Sequence, residues 1–147
     1  MNSSDNGSER KRGLLDTNVI YSALHNPAGV CGKIILLGTG PLVELYSIDL
    51  AREELRTNLE RKMGLHHDDI EFIVSSLPLD WIPREVYAGY VRRAAGAVGV
   101  PQDAPFVAAS LATGIPLVSG DAHLHTRKIR RLIRTHRPRE FTDVFGG

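Results

Sequence analysis

Four acidic side chains hold the chemistry that this sequence could perform. Carboxylates brought within a few ångströms of one another cannot all stay ionised unless a cation compensates them. Oxygen ligands alone select hard ions such as Mg²⁺ or Mn²⁺, and such an ion lowers the pKa of a bound water for metal-assisted hydrolysis. Whether this chemistry is available depends on the elements that position the four residues, Asp16, Glu54, Asp103 and Asp121.

Two of the acids follow apolar runs that are typical of buried strands. The segment GLLDTNVI (13–20) places Asp16 after a short apolar run, and IPLVSGD (115–121) ends in Asp121. In open parallel sheets, sites form beyond the carboxyl ends of the strands. Both carboxylates would therefore reach one edge if the two strands are neighbours. Taken singly, each Asp is more often a turn residue or a helix cap.

The two other acids fall on predicted helices. Asp103 opens DAPFVAASLATG (103–114), where a plain N-cap is the simpler interpretation. The helix predicted over 49–63 has an apolar face made of Leu50, Ala51, Leu55, Leu59 and Met63. Glu54 lies at the margin of that face, whereas Glu53 lies nearly opposite, toward solvent. We therefore expect Glu54 to point into a cleft, with Glu53 as the alternative.

Strand-like and helix-like segments alternate along the chain. The predicted strands are GLLDT (13–17), PLVELYS (41–47), LDWIP (79–83) and IPLVSGD (115–121). The predicted helices are 30–40, 49–63, 68–77, 85–99, 103–114 and the basic segment HTRKIRRLIRTH (125–136). Such alternation is typical of an α/β fold with a mainly parallel central sheet flanked by helices on both faces.

The composition is that of one globular domain. A chain of 147 residues can bury a sizeable core, and a net charge of +1 creates no overall demand for nucleic acid or membrane. The single cysteine, Cys31, excludes an internal disulfide, and no apolar run is long enough to span a bilayer. We expect a cytoplasmic protein with a disordered polar tail over 1–12 and a single domain over 13–147.

Three segments resemble, in order, the motifs of PIN-domain nucleases, in particular the prokaryotic PIN proteins related to VapC-type toxins. They are LLDTNVIYSAL (14–24), REELRTNL (52–59) and DAPFVAASLATGIPLVSGD (103–121). The resemblance extends from Gly13 to about Phe145 and includes all four acids. It implies a PIN-like fold that gathers these acids at one end of a parallel sheet. The spacing of the acids in the sequence does not by itself show that they lie close together.

The resemblance also implies an activity and a ligand set. The activity is that of a metal-dependent endoribonuclease, which uses Mg²⁺ or Mn²⁺ to hydrolyse RNA phosphodiester bonds. Asp16 and Asp103 would bind the first ion directly, and Asp121 and Glu54 would complete the site or hold its waters. The number of metal ions stays open.

Two polar residues next to the acids are candidates for orienting roles. Ser119 matches the family's small hydroxyl residue, and Asn18 follows the first acid closely, so each would orient a carboxylate or a water. Asn18 is equally typical of an Asx turn. Two departures from the family pattern leave the metal affinity and the substrate open. Gln102 stands where many relatives carry a second acid, and DAHLH (121–125) replaces the usual Lys or acid after the last Asp.

Basic side chains after the last acid are candidates to hold phosphates beside the scissile one. They are Arg127, Lys128, Arg130, Arg131 and Arg134, with Arg92 and Arg93 on another predicted helix. The alternative is a solvated helix face. Because toxins of this group commonly dimerise, the resemblance further implies a homodimer, a protein antitoxin as partner and no membrane contact.

Three other functions compete with this interpretation. The first is a catalytically silent PIN fold that binds RNA or a protein. The second is a phosphotransfer domain with Asp16 as nucleophile, although Asn18 replaces the second Asp of the usual DxD pattern. The third is a zinc site at His123 and His125, which lacks a third ligand at suitable spacing.

Overall fold

The computed structural model describes residues 11–143, in which five strands form one sheet. The strands are β1 (Lys11–Leu15), β2 (Val43–Ile48), β3 (Asp80–Ile82), β4 (Leu117–Val118) and β5 (Thr135–His136). Their order is β3-β2-β1-β4-β5, and every neighbouring pair is parallel. Leu14 pairs with Leu117 and Leu15 with Val118, so β1 and β4 are direct neighbours. The predicted α/β fold with a parallel sheet is confirmed.

Helices connect the strands in these described residues. They are α1 (Thr17–His25), α2 (Val30–Gly38), α3 (Asp49–Met63), α4 (His67–Ser76), α5 (Arg84–Tyr87), α6 (Val91–Ala95), α7 (Ala104–Thr113), α8 (Arg127–Arg130) and α9 (Pro138–Asp143). The bounds of α3 are those predicted, and Gly64 ends it at a φ of 65° that suits glycine. Helix α1, which begins directly after Asp16, was not predicted from the sequence.

The core lies in two apolar clusters, one on each face of the sheet. Side chains alternate along a strand, so Leu14 joins one cluster with Phe106 and Val107, and Leu15 joins the other with Leu55. Helix α7 covers the first face, whereas α1 and α3 cover the second. Because both faces are covered, the carboxyl edge of the sheet is the place where polar side chains can gather.

The basic segment 125–136 is not the closing helix that its sequence predicts. Only Arg127–Arg130 is α-helical, and Thr135–His136 forms β5. The backbone after Ile133 instead completes the sheet, because the Leu117 N–H donates to the Arg134 carbonyl and the Ser119 N–H donates to the His136 carbonyl. Sheet pairing at this edge therefore overrides the helical pattern.

Two other predicted boundaries differ from the structure. The predicted helix 85–99 is broken into α5, a 3₁₀ turn at Ala88–Tyr90 and α6, and Gly89 and Gly96 lower the helix propensity there. Strand β1 begins at Lys11, so two residues of the predicted tail belong to the sheet. The rest of that tail, 1–10, and residues 144–147 lie outside the described residues. Across 11–143, the helices are all too short or too polar to span a bilayer.

Candidate metal centre

Asp16 lies buried at the junction of β1 and α1. Its Oδ1 accepts the Asn18 N–H at 3.3 Å and caps α1, while its Oδ2 accepts the Ser119 hydroxyl at 2.7 Å. Burial raises the pKa of the Asp16 carboxyl, and the hydrogen bonds from Ser119 and Asn18 oppose that rise. Asp16 is therefore a helix cap and a site residue at once, with one oxygen for each role.

Ser119 connects the ends of β1 and β4. It is fully buried, donates its hydroxyl proton to Asp16 and accepts the Asp121 N–H at 3.0 Å. His125 Nε2 donates to the Ser119 carbonyl at 2.6 Å, and His125 Nδ1 lies 3.0 Å from the Thr135 hydroxyl. One buried serine thus fixes a carboxylate on one strand and the backbone of the acid that follows the next strand.

Asp121 and the two histidines after it do not form a zinc site. Asp121 Oδ1 accepts the His123 N–H at 3.0 Å and lies 2.8 Å from His123 Nδ1. His125 instead contacts the Ser119 carbonyl and Thr135, so the two rings have different partners. Throughout 11–143, no group of three or more His, Cys, Asp or Glu side chains is placed so that it could hold a metal ion.

Asp103 ends a 3₁₀ turn (Pro101–Asp103) directly before α7, and its side chain makes no capping bond. Its Oδ2 is buried and has no hydrogen-bond partner. Burial raises the pKa of Asp103 to about 6, and the charges of Asp121, Asp16 and Glu54 add to the rise, while His123 opposes it. The plain N-cap interpretation of Asp103 is therefore wrong, and the charges of the three other predicted acids all act on its carboxyl.

Glu54 reaches this centre through Thr17, a residue that sequence analysis missed. The Thr17 hydroxyl donates to Glu54 Oε1 at 2.8 Å and ties α3 to the start of α1. Glu54, and not Glu53, is among the acids that raise the pKa of Asp103. The role of Thr17 could have been predicted from its position, because its hydroxyl directly follows Asp16 in the sequence.

Two clefts border the centre. One, of about 480 Å³, is lined by residues of α3 and the start of α7, including Glu53, Glu54 and Gln102. The other, of about 310 Å³, lies between Asn18 and Asp121. The Asn18 side chain is exposed beside this second cleft, and the local Asx-type turn belongs to Asp16 instead.

The predicted basic contacts do not surround the acids. Arg130 and Arg131 line a shallow cleft with Gly114 and Arg134, at the end of α7 that is remote from Asp103. Helix α7 has 10 residues and is therefore about 15 Å long. Arg127 and Lys128 are exposed on α8. Arg130 and Arg131 lie at this far end because the long basic helix predicted over 125–136 does not form. Their contact with RNA phosphates stays a prediction.

The side chains of the centre are better suited to bind a hard divalent cation than to carry out phosphotransfer with a carboxylate nucleophile. Every strong donor is a carboxylate oxygen, which Mg²⁺ and Mn²⁺ prefer, and the buried Oδ2 of Asp103 has no protein partner. A phosphotransfer site would need the second Asp of the DxD pattern, and Asn18 stands in its place.

Comparison with known proteins places this geometry in context. A family model of the PIN domain matches residues 14–136. The curated proteins contain no match to the chain.

Three solved structures share the fold. The DNA-bound VapBC2 of Rickettsia felis has 16% identity and a TM-score of 0.61, covering 86% of this chain and 98% of that chain. The DNA-bound VapBC of Salmonella typhimurium has 18% identity and a TM-score of 0.61, covering 87% and 98%. The FitAcB of Neisseria gonorrhoeae has 18% identity and a TM-score of 0.55, covering 86% and 97%. At such identities the likeness concerns the fold alone.

Proposed function

The chain belongs to the PIN-domain family, and on that premise we propose that it is a divalent-metal-dependent endoribonuclease that hydrolyses RNA phosphodiester bonds. One observation carries the proposal: Asp103 has a buried, unpartnered oxygen and a raised pKa among three other acids. A fold gains nothing in stability from such a cluster, since like charges at short range repel. A bound cation would remove that repulsion and give the cluster a use.

The residues present divide into ligands and supports. Asp16 and Asp103 would hold a Mg²⁺ or Mn²⁺ ion, with Asp121 and Glu54 completing the site. When bound, the ion would supply an activated water for attack on the phosphodiester and offset charge on the phosphate. Ser119 keeps one oxygen of Asp16 in place.

Several of these carboxylates accept hydrogen bonds from neighbouring groups of the protein. Glu54 accepts the Thr17 hydroxyl, and Asp121 accepts from His123. Such contacts offset part of the repulsion among the acids.

The biological setting is proposed from the resemblance to VapC-type toxins. We propose that the protein acts in the cytoplasm as a homodimer and that a protein antitoxin restrains it. The VapBC and FitAcB structures of similar fold are consistent with this setting.

The test is cleavage of a mixed pool of structured and unstructured RNAs with Mg²⁺, Mn²⁺ or EDTA. Wild type is compared with Asp103→Asn and with Asp69→Asn, a matched control because Asp69 is an exposed acid in the first turn of α4. We expect cleavage that needs the metal, is lost in Asp103→Asn and persists in Asp69→Asn. Equal cleavage by all three proteins, or cleavage in EDTA, would refute the proposal.

A catalytically silent PIN module is the second candidate. The observation in its favour is that no group of acids in 11–143 is arranged to hold a metal as it stands. Mn²⁺ binding measured by calorimetry separates the two candidates. Binding that Asp103→Asn removes supports the nuclease, whereas RNA binding with no affinity for Mn²⁺ or Mg²⁺ supports the silent module.

A further inference from the structure

A second charged site lies at the remote end of α7, which we name the distal arginine cleft. It has a volume of about 290 Å³ and is lined by Ser110, Leu111, Gly114 and the continuous segment 130–134. Three of its lining residues are arginines, and none is acidic: Arg130, Arg131 and Arg134. All three are exposed, so their guanidinium groups are accessible from solvent.

The backbone around the cleft positions these arginines. Arg134 Nη2 donates to the Gly114 carbonyl at 3.4 Å, directly where α7 ends. Its carbonyl accepts the Leu117 N–H, which anchors the segment to β4. Arg130 and Arg131 end the single turn of α8, whose buried Ile129 packs in the core. A guanidinium has five N–H donors, so the bond to Gly114 leaves Arg134 able to bind an anion.

We propose that the distal arginine cleft binds backbone phosphates of the same RNA strand that is cut at the acidic centre. This inference rests on the proposed nuclease function. An acidic centre repels RNA, and the net charge of +1 supplies no general attraction, so affinity must come from local basic groups. The cleft supplies three such groups on a firmly attached segment.

The separation of the two sites sets a substrate length. Helix α7 alone separates them by about 15 Å. At about 3.4 Å per stacked nucleotide, this distance corresponds to roughly four to five nucleotides. A stacked RNA must be at least this long to reach both sites, so the arginines should contribute more to the binding of long RNAs than to that of very short ones.

The test is RNA binding in the Asp103→Asn background, in which cutting does not confuse the measurement. The probes are fluorescent single-stranded RNAs of about 20 and about three nucleotides, titrated across a range of salt concentrations. The variant is R130Q/R131Q/R134Q. The matched control, K33Q/R61Q/K62Q, removes three exposed basic residues from α2 and α3 instead.

For the longer RNA, we expect the slope of log K against log salt to become shallower by about 2 in the arginine variant, since each lost contact to a single strand removes about 0.7. The short RNA carries too few phosphates to contact all three arginines, so its slope should change less than that of the longer RNA. The double variant R130Q/R131Q keeps the Arg134 contact to Gly114, should fold as wild type does in thermal melts, and should lose about 1.4 of slope.

Three outcomes would overturn the inference. They are an equal loss in the control variant, an equal loss for the short RNA, and unchanged binding of the longer RNA. If RNA binding is unchanged while the arginine variant no longer binds a polyglutamate probe, the occupant is an acidic polypeptide instead. None of these outcomes depends on cleavage, so a failed nuclease assay and a failed docking proposal remain distinguishable.

Discussion

The two ends of α7 carry opposite charges in physically different ways. At its start, Asp103 has a buried oxygen without a partner and a pKa of about 6. At its end, Arg130, Arg131 and Arg134 stand exposed around Gly114. Buried like charges are costly and sensitive to position, whereas exposed charges are screened and tolerant of small shifts. The first end therefore suits a reaction centre, and the second suits a docking surface.

The largest expected effect would separate these roles kinetically. Asp103→Asn should lower kcat by more than about 100-fold, since it removes a ligand rather than a supporting partner. R130Q/R131Q/R134Q should raise KM for long RNAs and leave kcat within about twofold, because docking groups act on ground and transition state alike. Steady-state kinetics on one long RNA checks both. If the arginine variant lost kcat as Asp103→Asn does, the division into reaction centre and docking surface would be wrong.

A second prediction compares two buried serines near the opposite ends of α7. Ser119 donates to Asp16, and Ser110 donates to the Ile115 carbonyl. Either Ser→Ala change should reduce the free energy of unfolding by about 1–3 kcal/mol, because each leaves a buried acceptor without its donor. Ser119→Ala should in addition weaken Mn²⁺ binding by about 10- to 100-fold.

Urea unfolding and calorimetry measure these two effects. Ser110→Ala is the matched control, since it removes a buried hydroxyl that has no contact with the acids. Equal Mn²⁺ affinities in the two variants would show that Ser119 has only a structural role.

A smaller effect is expected at His125, whose Nε2 donates to the Ser119 carbonyl. The amide nitrogen of Gln can take the position of Nε2, whereas that of Asn is too short to reach it. His125→Gln should therefore keep kcat within about threefold of wild type. His125→Asn should lower kcat by about tenfold, which is the small end of the range for residues that support metal ligands. Kinetics at one Mn²⁺ concentration tests this, and the reverse order of the two variants would contradict it.

The carboxyl edge of the sheet was more predictable than the far end of α7. Asp16 and Asp121 were predicted from the apolar strands that precede them, and the family resemblance supplied the proximity of Glu54 and Asp103. Thr17 was missed because α1, the helix that presents it, was not predicted. The helix predicted around Arg130 and Arg131 was too long, because its helical pattern of basic and apolar residues was overridden by the pairing of β5 with β4. Local sequence patterns predicted the elements whose structure depends on neighbouring residues. They did not predict β5, whose structure depends on pairing with the distant strand β4.

The smallest effect expected is the pH dependence of stability without metal. The pKa of Asp103 is raised to about 6 from an ordinary 3.8, so the folded protein holds this proton more tightly than the unfolded chain. The resulting stability is fully present below about pH 4 and is lost as the pH rises through about 6. After allowance for solvent screening it is on the order of 1 kcal/mol.

Urea unfolding of wild type and Asp103→Asn across this pH range isolates the effect, because all other carboxyls titrate in both proteins. The difference in free energy of unfolding should shift in favour of Asp103→Asn as the pH rises. Arg134 and Arg130 help to lower the pKa values of His136 and Glu140, so R130Q/R131Q/R134Q is compared only with the same variant carrying Asp103→Asn, where the same shift is expected. Mn²⁺ at neutral pH should restore the lost stability in wild type alone, because a cation replaces the proton that the cluster has given up.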